Sequence, residues 1–133
     1  MFRKIFPSSG GGLYVKRAKK TIRLARYGCT NRPFFHIVVM LTGRGQHEQP
    51  IEQLGTMDPM PNERNEKMVA LNFERIQYWL GQGCEVSDPV AELFGLAGFF
   101  PVHPRTYTTA WRNRFEAQKD LEAKETEQID AKP

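Results

Sequence analysis

The first 47 residues contain no aspartate or glutamate, although they hold ten lysines and arginines. Residues 48–133 carry the other nine basic residues and all fifteen acids, a balance of −6 hidden inside a net charge of +4. Cations gathered in one segment repel each other until a polyanion neutralises them, so the segregation implies a nucleic acid or an anionic membrane. The plainer alternative is a solvated basic face. Cysteine is scarce as well: Cys29 and Cys84 stand alone, with no CxxC pair. That excludes a disulfide framework and makes a reducing compartment the default. No apolar run approaches the roughly 20 residues that span a bilayer. The three histidines, His36, His47 and His103, lack metal-ligand spacing and fall in different segments.

What is present suits one modest domain with tails. A chain of 133 residues is too short for two ordinary domains, and nine prolines with eleven glycines leave much of it in turns. The opening MFRKIFPSSGGGLYVKRAKK is basic and dotted with aromatic and aliphatic residues, which suits a mitochondrial presequence or a basic arm lying on RNA. Alternation over Thr21–Tyr27 predicts a half-buried strand with Ile22 and Leu24 inward and Arg23 outward. A turn at Gly28–Asn31 follows, and Phe34–Leu41 reads as a central strand. Ile51–Met57 is a third, weaker strand, closed by the rigid bend Asp58-Pro59-Met60-Pro61-Asn62.

Lys67–Leu71 reads as a fourth strand. Asn72 is placed to cap a helix with Phe73, Ile76 and Leu80 on its inner face. A second helix begins after Ser87, with Pro89 in its first turn and Val90, Leu93, Phe94 and Ala97 facing inward. Residues 99–105 should run extended, and 109–124 could form a helix. From Glu116 onward the composition is too polar to order itself by burial. The expected class is therefore α+β: a small mixed, largely antiparallel sheet of four to five strands, two helices after the fourth strand, and extensions at both ends. The divisions are an arm over 1–19, a core over 20–98 and an extension over 99–133.

Nine short segments, in order, carry a resemblance. They are Ile22–Gly28, Arg32–Phe35, Ile37–Val39, Glu52–Thr56, Asp58–Asn62, Leu71-Asn72, Glu74–Ile76, Tyr78–Leu80 and Ser87-Asp88. Their order and spacing resemble the bacterial-type S16 family of small-subunit ribosomal proteins across about residues 20–98. The resemblance implies a non-catalytic structural role in folding and holding small-subunit ribosomal RNA. The presequence-like start and the long extensions resemble the mitochondrial branch, which implies a place in the ribosome of the mitochondrial matrix. Cys29 and Thr30 stand where the family usually has basic residues, and His36 where it has arginine. The Gly45–Gln49 loop also departs from the family's arginine-rich pattern, so a lighter grip on phosphate is implied.

The candidate RNA contacts are Lys16, Arg17, Lys19, Lys20, Arg23, Arg26, Arg32, His36, Arg44 and Arg75. A-form RNA is held through phosphates and 2′-hydroxyls, so a row of cations on a sheet edge and arm suffices without base reading. Arg75, one turn before Trp79, could reach phosphate, stack on the indole or serve inside the fold. Phe34, Phe35, Tyr78 and Trp79 read as core rather than as stacking platforms. Neighbouring small-subunit proteins are expected partners, including through residues 99–133; a membrane or a small-molecule substrate is not. No resident cofactor or metal is expected. The alternative is zinc or an iron–sulfur cluster shared with a neighbouring subunit through Cys29. Two further alternatives are a free RNA-binding assembly factor and a Mg²⁺-dependent nuclease using Glu48, Glu52, Asp58, Glu63 and Glu66.

Overall fold

The computed structural model describes residues 18–130, with side chains through Thr126. The element order is β1 (Lys20–Cys29), β2 (Arg32–Leu41), β3 (Glu52–Met57), β4 (Val69–Leu71), α1 (Phe73–Gly81), β5 (Glu85–Val86), α2 (Asp88–Leu96) and α3 (Pro104–Asp130). The five strands form one sheet in the order β4-β3-β2-β1-β5, antiparallel except where β5 runs parallel to β1. This is an α+β fold with a mixed sheet, as the patterning implied. The chain also divides into two compact units that part after Val90.

The centre of the first unit is a long hairpin. Its ladder runs unbroken from Lys20 opposite Leu41 to Cys29 opposite Arg32. The expected four-residue turn is thus only Thr30-Asn31, and Pro33 sits inside a strand, opposite Gly28. Two backbone features make this possible. Asn31 takes the left-handed conformation (φ 63°), and Gly28 has φ 100°. A Cβ at Gly28 would run into the carbonyl oxygen of Arg32, so the tip needs glycine both for its dihedral and for its clearance.

Side chains alternate across the hairpin and define two faces. Ile22, Ile37 and Val39 lie on one and are fully buried. Glu52 is paired with Val39 and shares this face. Between Ile37–Gly55 and Val38–Gln53 the register slips by one residue, leaving Leu54 as a bulge, and Leu54 is buried. Its carbonyl accepts from the Asn72 N–H at the entry to α1. Asn72 caps that helix, its side chain accepting from the Arg75 N–H. The bulge therefore helps to set where α1 begins.

Several expectations need correction. Within α1, Ile76 is fully buried, but Phe73 in the first turn is 46% exposed. A residue at the first helical position projects back past the helix end, so spacing overstates its burial. In α2, Val90 and Phe94 are fully buried, whereas Ala97 lies beyond the last helical residue and is exposed. The fourth strand spans only Val69–Leu71, and β5 is two residues long. The largest difference is α3. Helix begins at Pro104, inside the segment expected to be extended, and continues to Asp130 through the acidic stretch. A helix satisfies its backbone within itself, and Gln118 bonds Glu122 one turn on at 3.3 Å. It can persist without the burial that the composition denies it.

Candidate nucleic-acid interface

The second face of the hairpin is the informative one. Alternation places Arg23, Ala25, Tyr27, Phe34, His36, Val38 and Met40 on it. Near the open end of the hairpin it is covered: Ala25, Val38 and Met40 form a buried cluster. Arg23 lies among them. Its guanidinium donates to the Met40 sulfur at 3.3 Å and to the backbone carbonyl of Arg44. Arg23 thus fastens the 42–50 loop over the sheet rather than standing on an outer, charged face. Its Nε is buried without a protein partner among the described residues. Alternation alone sees Arg23 opposite Ile22; it cannot see that a loop folds back over that second face.

Toward the turn the same face opens. The Tyr27 and His36 rings stack with centroids 4.2 Å apart, and Phe34 meets His36 edge-on at 5.6 Å. His36 is half-buried in this trio, while Tyr27 is exposed. Of the two cations nearest the turn, Arg32 shares this face, whereas Arg26 lies on the opposite face of the hairpin. The Arg26 side chain makes no ion pair or hydrogen bond among the described residues, and Arg32 pairs with Asp58 at 2.8 Å while keeping 61% of its side chain exposed. An exposed pair of this kind contributes at most about 1 kcal/mol. A phosphate can therefore compete for Arg32. Tyr27 was not among the sequence-based candidates, although it shares a face with His36 and sits opposite Phe34 in the hairpin.

The remaining candidates divide. Lys16 and Arg17, with the presequence-like start, lie outside the described residues. Lys19 pairs with Glu85 at 2.7 Å, both side chains being more than half exposed, and Lys20 lies close enough to Cys84 for its charge to act on the thiol. Arg44 pairs weakly with Glu48 at 3.6 Å.

Arg75 is committed inside the fold. Its Nε and Nη2 each donate to Glu52 at 2.6 Å, Trp79 Nε1 donates to the same carboxylate at 2.9 Å, and the guanidinium lies 4.4 Å from the centroid of Tyr78, not over the indole. The bidentate bonds from Arg75 hold the Glu52 carboxyl below its ordinary value against the opposing pull of burial. Arg75 is raised by the same bonds. The sequence left Arg75 open between RNA phosphate, the Trp79 indole and a role inside the fold; the structure shows the last, with a partner 23 residues away on β3 that no local pattern identifies.

The acids considered for metal chemistry are largely engaged elsewhere. Glu52 holds Arg75 and Trp79, Asp58 accepts from Arg32 and from the Met60 N–H, and Glu48 faces Arg44. Among the described residues no group of three or more His, Cys, Asp or Glu could hold a metal ion. Cys29 is free and exposed at the hairpin tip; Cys84 is part-buried, and burial pushes its thiol up.

The fold is a small mixed sheet whose hairpin end carries an exposed aromatic face beside Arg32, with Arg26 on the reverse side, a surface of the kind that suits RNA backbone. Comparison with known proteins makes this particular. The family model described as Ribosomal protein S16 matches residues 26–87. The chain is 59% identical over 108 residues to small ribosomal subunit protein bS16m of Drosophila melanogaster, covering 81% of this chain and 84% of that one. It is 49% identical over 100 residues to bS16m of Caenorhabditis elegans, covering 72% and 68%. Bacterial bS16 of Acidiphilium cryptum is 41% identical over 81 residues, covering 61% and 71%. This chain belongs to the S16 family of ribosomal proteins.

Proposed function

We infer that this chain is a structural constituent of the small subunit of the mitochondrial ribosome. The observation that carries this is the extent of its likeness to mitochondrial bS16m proteins, which runs over most of both chains in the fly comparison. Its place is accordingly the mitochondrial matrix, within the ribosome. The role is to hold small-subunit ribosomal RNA in its folded form during assembly and translation, by neutralising phosphates rather than by catalysis.

The RNA-facing surface is the hairpin end. Arg26 and Arg32 supply phosphate contacts and Tyr27 supplies an exposed ring, with His36 and Phe34 holding it. Lys19, Lys20 and Arg44 add a second, paired group of cations toward the other end of β1, and Lys16 and Arg17 extend it into the arm. Arg23 and Arg75 act at one remove, by fixing the loop and helix that frame the sheet. Neighbouring subunit proteins meet the chain through its extensions. Cys29 supplies a single exposed sulfur, so zinc or an iron–sulfur cluster there would need its other ligands from a neighbouring subunit. Metal and sulfide analysis of particles carrying Cys29→Ser tests that arrangement.

The nuclease reading has no observation in its favour, since three of its five acids are already bonded to arginine. Gradient sedimentation of mitochondrial ribosomes tests the ribosomal reading and separates it from a free assembly factor. The chain should travel with mature small subunits through moderate salt. A chain that ran free while the subunits stayed intact would contradict it.

A further inference from the structure

Helix α3 carries its charges against its own dipole. The N-terminus of a helix is its positive end, so acids stabilise it and bases suit the C-terminus. Residues 104–115 instead hold Arg105, Arg112 and Arg114 with no acid, while residues 116–130 hold six acids against two lysines. The first turn has no acid and the last turn no base. This arrangement costs helix stability, so intrinsic helix formation does not account for it.

The aromatic residues of the helix follow the same boundary. Tyr107, Trp111 and Phe115 recur at intervals of four and so form one stripe, and they are 44%, 63% and 61% exposed. At 3.6 residues per turn Arg114 and Arg112 border that stripe on opposite sides. Neither arginine has an ion-pair partner among the described residues, whereas Arg105 is tied to Glu92 at 3.5 Å. Rings and arginines therefore end together at Phe115, where the acids begin. An apolar groove on a protein would favour a stripe continued along the helix and would leave the two bordering arginines without a counter-charge. Single-stranded RNA has a use for both, because its phosphates need cations and its unpaired bases need flat partners.

We propose that the basic half of α3, residues 104–115, is a second RNA-binding surface that takes an unpaired strand, with Trp111 and Tyr107 stacking on bases and Arg112 and Arg114 meeting phosphates. The proposal rests on the ribosomal reading only for which RNA is present. The acidic half then faces away from the polyanion, and the charge change at Glu116 marks where the strand leaves the helix.

The test uses the full chain and labelled oligouridylate, with affinity followed by fluorescence anisotropy over a range of salt. Trp111→Ala should weaken binding about tenfold, as loss of one stacking platform does. The double variant Arg112→Gln, Arg114→Gln should weaken it about tenfold at low salt and reduce the salt slope by about 1.4, that is 0.7 for each phosphate lost. Trp111→Phe should recover most of the Trp111→Ala loss. All three side chains are exposed, so circular dichroism should show the helix intact. If the wild-type chain failed to bind oligouridylate, or if the variants bound it as well as wild type, the proposal would be overturned. Loss of crosslinks to a neighbouring protein alone would make the surface a protein-docking one instead. Incorporation into the particle, measured by sedimentation, reports the ribosomal reading separately.

Discussion

The arginines of the sheet unit and those of α3 face opposite situations. Arg23, Arg32 and Arg75 all have partners within the fold: a loop carbonyl, Asp58 and Glu52. Arg112 and Arg114 have none among the described residues. A basic residue in a folded sheet is thus first a structural element, and only what remains open, Arg26 and the exposed side of Arg32, is available to a polyanion. In the helix only Arg105 is engaged, by Glu92. Equal formal charge therefore does not mean equal availability, and a count of cations overstates the grip of the sheet.

The contrast can be broken in several places. The largest effect should come from the sheet itself. Ile37→Ala removes a fully buried side chain and should cost about 2–5 kcal/mol in chemical denaturation. Gly55→Ala follows, because a Cβ there would collide with the Ala70 carbonyl and force β4 off β3. About 1–3 kcal/mol is expected, with amide exchange rising first in Val69–Leu71. If Gly55→Ala melted as wild type, β4 would not be held as closely as described.

Glu52 sharpens the comparison through pH. Its folded carboxyl lies below the ordinary value of 4.5 because Arg75 bonds the charged form. The stability it contributes is fully present above that ordinary value and is lost as pH falls through the lowered one. Thermal melts should therefore show an acid limb that is shallower in Glu52→Gln, and the variant should be less stable than wild type at neutral pH. An unchanged limb would mean that Arg75 is not committed to Glu52 and is free for RNA. The smallest effects on stability belong to the open cations. Arg26→Gln and the Arg112→Gln, Arg114→Gln pair should each leave stability within about 0.5 kcal/mol of wild type. Arg26→Gln should still reduce the salt slope for a structured rRNA fragment by about one.

Much of the sheet was legible because strand period and turn residues are local signals. Phe34–Leu41 as a central strand, Asn72 as a cap and Pro89 in a helix first turn are set by neighbours in sequence. The two-residue turn was less so, since only the pairing of Gly28 with Pro33 shows how far the ladder reaches. The site was half legible. The acid-free N-terminal third pointed to a polyanion, and of its cations the Arg26 side chain is open while Arg32 is paired with Asp58 yet largely exposed. What alternation could not reveal were contacts closed by distant segments: the loop carbonyl that engages Arg23, and Glu52 beneath Arg75. The helical reach of residues 104–130 was missed because a composition poor in apolar residues argues against burial, not against a helix that bonds itself.

Photocrosslinking within the intact small subunit tests the central assignment most directly, with crosslinked peptides identified by mass spectrometry. RNA adducts are expected on the hairpin peptide that contains Tyr27, and they should be lost when Arg26 and Arg32 are both changed to glutamine. Adducts confined to peptides around Arg75 and Trp79, with none on the hairpin, would contradict it.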